Sequence, residues 1–262
     1  MRAPYFKLEY AKARYYTFDQ ISNVLFKLIA AVSQIFLYRF VFYQSTIGSY
    51  SFQQLALYTF ITYAVYDVTT SNAGGFLRHY YANGYIANFY LRPRSVFMQF
   101  FQQLSAKNTI KIIVTTIPFM IISFIIMAIW GFPAINAALF FIGLFFIAIG
   151  FVIQFALEML IGSLVFYTKE SHNIMRVSTT VMRVLGGSVF PLTFFPTAMQ
   201  SALKYCPFQY TAGTIAEIYS GHYDVKMLPF DLAASVVWMI ILFAGASFVF
   251  RITEKRLGIY RG

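Results

Sequence analysis

Residues 112–157 read IIVTTIPFMIISFIIMAIWGFPAINAALFFIGLFFIAIGFVIQFAL, a run of 46 residues without a single charge. A bilayer core is crossed by about 20 apolar residues of helix. One helix of this length would exceed twice the membrane's thickness, so the run is expected to turn back on itself. Its only strong breaker is Gly131-Phe132-Pro133, which predicts a tight turn between a span at 110–130 and a longer span at 134–166, able to tilt or protrude. Composition agrees. The chain of 262 residues is 59% hydrophobic and 11% charged, against about 25% charged in soluble domains. The expected fold is therefore all-α: a polytopic membrane protein forming one transmembrane domain over 1–262.

Upstream lies RHYYANGYIANFYLRPRSVFMQFFQQLSAKNTIK (78–111), with Arg78, Arg92, Arg94, Lys107 and Lys111 and no acid; no acid occurs between Asp67 and Glu158. A basic loop between apolar blocks fixes the side of the membrane it faces. The other spans are predicted at 21–43, 54–74, 174–194 and 232–250. Lys27 and Arg39 lie near the two ends of the first, where long side chains can snorkel to the interface. Sixteen of the 20 lysines and arginines fall in the N-terminus, the 78–111 loop, the 167–183 region and the C-terminus, whereas only Lys204 and Lys226 fall in the opposite loops. Six spans with both termini cytoplasmic follow from the positive-inside bias. The net charge of +11 thus reads as topology and as attraction to the headgroups of the lipid bilayer, and no nucleic-acid partner is expected.

The first 20 residues lack the apolar core and cleavage site of a removable signal peptide, so the first span is expected to serve as the insertion signal. Tyr5, Leu8, Ala11, Tyr15 and Phe18 share a face at helical spacing, predicting an N-terminal interfacial helix over 1–20, with a frayed basic tail as the alternative. The single cysteine, Cys206, has no partner for an intrachain disulfide, and no internal repeat is visible.

Catalysis finds no support. His79, His172 and His222 are scattered over loops without metal-ligand spacing. Neither a phosphate-binding G-x-x-x-x-G-K-[ST] loop nor a serine nucleophile elbow occurs. The chain is expected to be no enzyme and to bind no metal or cofactor itself. Within the spans the acids are Asp67 and Glu158. A carboxylate facing lipid is costly, so Glu158 is expected to brace the fourth span or to pair with Arg176 or Arg183, with contact to a cationic substrate as the alternative. Pro93 disfavours helix at Arg92, so a short helix across 84–91 is expected to end there. On its residues alone that segment reads as an aromatic-basic interfacial stretch. Gly186, Gly187, Pro191 and Pro196 break the chain after the fifth span, and broken backbone at membrane depth must be satisfied by protein or by a water-filled cavity.

Four elements, in order and each at a span boundary, resemble the type-2 ABC exporter permeases. NGYIANFYLRP (83–93) resembles the family's glycine-to-Leu-Arg-Pro signature after the second span. LVFYT (164–168) with Glu170 resembles its aromatic-Thr-x-Glu exit from the fourth. GSVFPLTFFP (187–196) and CPFQY (206–210), the latter followed by Gly221, resemble its Gly-x-x-x-Pro-Leu-x-Phe-Phe-Pro and Pro-Phe-x-Tyr elements. The resemblance implies that Gly84, Tyr85, Asn88, Leu91, Arg92 and Pro93 belong to a coupling helix between spans two and three. That helix would dock into a separate ABC ATPase subunit, present in two copies and holding the ATP and Mg2+. It implies a second permease, a related different chain or else a second copy. It also implies that Gly187, Pro191, Phe195, Pro196, Pro207 and Phe208 lie in a re-entrant segment between spans five and six that caps the pathway on the outer side. The implied function is export of a lipophilic or amphipathic substrate across a bacterial-type plasma membrane. One departure is the acid-free loop, since the family often places an acid after the first glycine; its docking surface would suit an acidic groove. The alternatives are a stand-alone secondary carrier or channel, for which only Asp67 and Glu158 offer ion-coupling groups, and a non-transporting scaffold.

Overall fold

Inside a bilayer every backbone N–H and C=O must find a partner within the protein, and helix achieves this locally. The computed structural model describes residues 3–44, 50–129, 137–167 and 171–256, and these form helices and no strand. In order they are α1 (Ala3–Tyr15), α2 (Thr17–Gln44), α3 (Phe52–Thr69), α4 (Ala73–Ala82), α5 (Ala87–Tyr90), α6 (Val96–Lys111), α7 (Ile117–Ile129), α8 (Ala137–Gly162), α9 (Ser171–Leu185), α10 (Thr197–Leu203), α11 (Gly213–Ser220) and α12 (Leu228–Arg256). The turn expected at Gly131-Phe132-Pro133, and the Thr168 and Glu170 of the fourth span's exit, lie outside the described residues.

Among the described residues four helices are long and apolar enough to cross a membrane: Thr17–Phe40, Val96–Ile129, Leu139–Phe166 and Val225–Glu254. The expected third span therefore starts earlier than 110. A single π turn, Ile112–Thr116, joins α6 to α7 without breaking the rod, and 34 residues make about 51 Å of helix. The helices at the expected second and fifth spans differ from the rest. Helix α3 has 18 residues, carries Gln53, Gln54, Thr59, Thr62 and Asp67, and is buried along most of its length. Its surroundings are protein, which explains its lower apolarity. Helix α9 has 15 residues, or about 22 Å, short of the ~30 Å core. It stops at Leu185, and the chain then takes a left-handed turn at Gly187, φ 74°. The expected helix over 174–194 thus ends nine residues early, because the Gly186-Gly187 pair stops it before Pro191 is reached.

Two apolar clusters lie one above the other along the bundle. One gathers Leu55, Tyr58, Phe60, Phe119, Phe146, Tyr210 and Ile215 around the first half of α3. The other gathers Leu77, Ile86, Phe89, Phe97, Phe100, Phe155, Met159 and Phe250. Helices α8 and α12 run through both. Aromatic rings tie the second cluster edge to face, as in Phe97–Phe155 at 5.4 Å and Phe89–Phe100 at 4.8 Å, a geometry that adds to burial alone.

Helix α1 lies against α6. Glu9 and Ala13 are buried, whereas Leu8 and Tyr15, and Phe18 at the start of α2, are exposed. The apolar stripe faces away from the protein, as a stripe meant for lipid should, and Glu9 turns inward to its bond with Lys12. Lys27 does not snorkel either. It reaches sideways from α2 to Asp67 of α3 at 2.5 Å, because a carboxylate inside the bundle attracts it more strongly than the interface does.

Candidate functional site

At one end of the bundle the segment 84–93 forms a knob. Gly84 takes φ 72° with nothing within 4 Å of where a Cβ would stand. That left-handed turn, which glycine adopts without penalty, lets α4 reverse, and the Ile86 amide bonds back to the Tyr80 carbonyl at 3.0 Å. The regular helix is only Ala87–Tyr90, shorter than the expected 84–91, with turns on either side. Its inner face is anchored: Ile86 and Phe89 are buried, with Phe89 5.1 Å from the Tyr80 ring. Gln99 clamps the exit by donating from Nε2 to the Phe89 and Arg94 carbonyls, both at 2.8 Å. The outer face carries Tyr85, Asn88, Leu91, Arg92 and Pro93, all exposed. Leu91 is 85% exposed, an unusual position for an apolar side chain on a rigid stub. Arg92 bonds the Tyr5 hydroxyl and lies over its ring at 5.6 Å, so α1 touches the knob.

Glu158 secures the base of α4. Its Oε2 accepts from the Ser71 hydroxyl and from the Ala73 amide, each at 2.6 Å, and its Oε1 accepts from Gln154 Nε2 at 3.0 Å. A carboxylate at a helix N-terminus meets orphan amides and the positive end of the dipole. Among the described residues it forms no ion pair with Arg176 or Arg183; the Arg183 guanidinium instead sits 4.5 Å from the centre of the Tyr66 ring. Beside it α4 and α8 meet backbone to backbone. A Cβ on Gly162 would stand 2.7 Å from the Gly74 Cα, and one on Gly74 would stand 2.8 Å from the Glu158 carbonyl. The knob thus rides on a helix locked to α8.

At the opposite end the chain from Gly186 to Gly221 runs as short pieces: a 3-10 turn at Leu192–Phe194, α10, a second at Pro207–Thr211, and α11. Side chains from α2 and α3 hold it. Tyr58 donates to the Gly187 carbonyl at 2.6 Å, Gln34 and Tyr38 donate to the Val189 carbonyl at 2.5 and 3.1 Å, and the Gly213 amide donates to the Gly186 carbonyl at 2.7 Å. These bonds answer where the broken backbone finds partners. Pro191 and Pro207 are buried, Phe195 and Phe208 half-buried, and Pro196 exposed. The six residues expected in this segment share one end of the molecule but not one pocket.

A cavity of about 420 Å³ opens there, lined among others by Lys204, Glu217, His222, Tyr223 and Asp231. Tyr210 and Tyr223 donate to Asp231 at 3.2 and 2.7 Å. Burial, and secondarily the nearby Asp231 charge, pushes the Glu217 carboxyl up to about 7. His222 stacks on Tyr50 at 3.8 Å, and burial pushes it down from its usual value.

A third group escaped the sequence reading. Asp67 receives Lys27 on Oδ2 and Lys111 on Oδ1, both at 2.5 Å, and the Thr116 hydroxyl on Oδ2 at 3.1 Å. It joins α2, α3 and the π turn. Lys27 inside an apolar helix and Asp67 inside the next were the available signal; that Lys111 meets the same carboxylate is a property of the packing.

The fold is all-helical among the described residues, with helices long and apolar enough to cross a membrane. Residues 28–259 match the family model for ABC-2 family transporter protein, and the chain belongs to that family. No curated protein matches it. The membership makes it an ABC-type permease, a kind of membrane protein that works with an ATPase subunit.

Proposed function

We propose that this chain is the membrane-spanning subunit of an ATP-driven exporter, with 84–93 as the element that receives the motion of a separate ATPase. Six crossings are part of the reading. Helix α3 is the second, and α9 with the pinned chain after Gly187 is the fifth, so both termini and the knob share the cytoplasmic side. The observation that carries the proposal is the knob itself. Its inner face is locked into the core while Leu91 stands almost fully exposed beside Arg92 and Arg94. A rigid, partly apolar and basic projection suits docking into an acidic-rimmed groove. A push on it reaches α8 through α4 and the Glu158 bonds, which is the route a switch between inward-open and outward-open arrangements needs. Two such chains, different or identical, would enclose the pathway, and the aromatic content suits a lipophilic or amphipathic cargo.

A stand-alone carrier is less well supported, because Asp67 and Glu158 are both engaged in bonds within the fold. The test is Leu91→Asp. Because the side chain is exposed, the variant should fold and insert normally, yet lose co-purification with the ATPase and lose ATP-dependent export. Undiminished co-purification together with undiminished export would overturn the coupling role.

A further inference from the structure

Beneath α1, where it crosses α2, α3 and α6, lies a cavity of about 370 Å³. Four lysines line it, Lys12, Lys27, Lys107 and Lys111, against two carboxylates, Glu9 and Asp67. The excess is two positive charges. Lys12 is matched by Glu9 at 2.8 Å, but Lys27 and Lys111 share the single carboxylate of Asp67. Their side chains are only 18% and 33% exposed, so one ammonium charge is left uncompensated where water is scarce, a costly state for a cation between membrane helices. Lys107 stands exposed at the cavity with no carboxylate within ion-pair distance among the described residues. Tyr16, Gln20 and Asn23 add hydroxyl and amide groups to the wall. A cationic or purely apolar occupant would worsen this balance. An anion with several acceptor oxygens would close it.

We propose that this cavity binds a phosphate group, carried by the headgroup of an anionic phospholipid or free in solution. Phosphate oxygens would take the shared ammonium charge of Lys27 and Lys111 and that of Lys107, which forms no ion pair among the described residues and feels Glu9 only at longer range, through charge-assisted bonds. Leu8 and Tyr15 stand exposed on α1, the helix that roofs the cavity, and Phe18 stands exposed just beyond it at the start of α2. These side chains would seat α1 at headgroup level, where a phospholipid offers its phosphate. An occupant would also brace the helix whose Tyr5 meets Arg92 of the knob. The site stands whether or not the knob docks an ATPase.

The purified full chain is offered dioleoyl-phosphatidylglycerol in mixed micelles, dioleoyl-phosphatidylcholine in the same micelles, or inorganic phosphate, and bound phosphorus per chain is measured. The expected result is retention of phosphatidylglycerol over phosphatidylcholine, weakened about fivefold by Lys107→Gln, the share of one lysine near an anionic headgroup. Lys7→Gln, an exposed lysine on α1 outside the cavity, should leave retention unchanged. Retention that excess inorganic phosphate cannot displace identifies the lipid as the source. Binding of inorganic phosphate with the same Lys107 dependence identifies free phosphate. If Lys107→Gln changes neither ligand, or Lys7→Gln weakens binding equally, the site is refuted in favour of diffuse surface charge.

Discussion

Replacing Glu158 with leucine tests the brace between α8 and α4. Leucine keeps much of the volume but accepts no hydrogen bond. Three donors converge on the carboxylate: the Ser71 hydroxyl, the Ala73 amide and the Gln154 side chain. The Ala73 amide keeps a second acceptor in Ser71 Oγ at 3.2 Å, whereas the Ser71 hydroxyl is left without a partner and Gln154 Nε2 with only a weak contact to the Met182 sulfur at 3.9 Å. At about 1–3 kcal/mol for each of these two buried donors, the loss is about 4 kcal/mol. Glutamine retains one carbonyl oxygen for Ser71 and Ala73 and disturbs only the contact with Gln154, a cost of about 1–2 kcal/mol. At about 2–4 °C per kcal/mol, the leucine variant should melt roughly 10 °C below the parent and the glutamine variant a few degrees below it. Thermal unfolding of the purified chain in one detergent, followed by loss of monodisperse protein, reads both. Equal melting of Glu158→Leu and the parent would refute the brace. Equal damage by glutamine and leucine would show that the charge, and not the acceptor geometry, is what α4 requires.

The pinned chain at the other end gives a second expectation: Tyr58→Phe strands the Gly187 carbonyl and should lower stability by about 1–3 kcal/mol. Gly187→Ala should cost more than the ~1–2 kcal/mol of its left-handed backbone, since the new Cβ would stand 2.9 Å from the Tyr58 hydroxyl and 3.0 Å from the Gly213 Cα; both are read by the same melting assay. Glu217 predicts a pH dependence. Its carboxyl titrates near 7 in the folded chain against 4.5 for the free group, so the folded state holds its proton longer. Stability is then highest below about pH 4.5, falls as pH rises through 7, and levels off above, a total of about 3 kcal/mol. Glu217→Gln should flatten that slope, and an unchanged slope would remove Glu217 as its origin.

Much of this molecule is legible in one dimension because membrane helices announce themselves by uninterrupted apolar length. Long apolar helices at Val96–Ile129, Leu139–Phe166 and Val225–Glu254 overlap the stretches expected to span at 110–130, 134–166 and 232–250, and Gly84 and Gly187 take left-handed turns. The exceptions have physical causes. Helix α3 sits within protein, so its sequence does not carry the lipid signature of its neighbours. Helix α9 ends where Gly186-Gly187 lets the backbone leave helix, earlier than hydropathy would stop it. The inward face of α1 carries Glu9 and Ala13 against α6, a pairing that its apolar periodicity does not reveal. The Lys27–Asp67–Lys111 cluster and the Glu158 brace join residues 40 to 87 positions apart. No local pattern encodes such pairs; they exist only once the helices have found their neighbours.

The π turn at Ile112–Thr116 carries a consequence of a different kind. The Ile117 amide bonds to the Ile112 carbonyl, five residues back, so the long rod contains one residue more than an α-helix of the same rise. Each residue of α-helix advances the rod by 100°. The two halves are therefore out of phase by about a third of a turn, and this offset lets Lys111, Thr115 and Thr116 all face Asp67. It also sets α6 toward α1 while α7 faces α2 and α3. Removing a single residue here would act like turning a key: every side chain on one side of the cut would swing round together, carrying the seat of α1 away from it. A one-residue deletion in the middle of this membrane helix is a global change of orientation, and insertions or deletions should be tolerated far less there than at the helix's two ends.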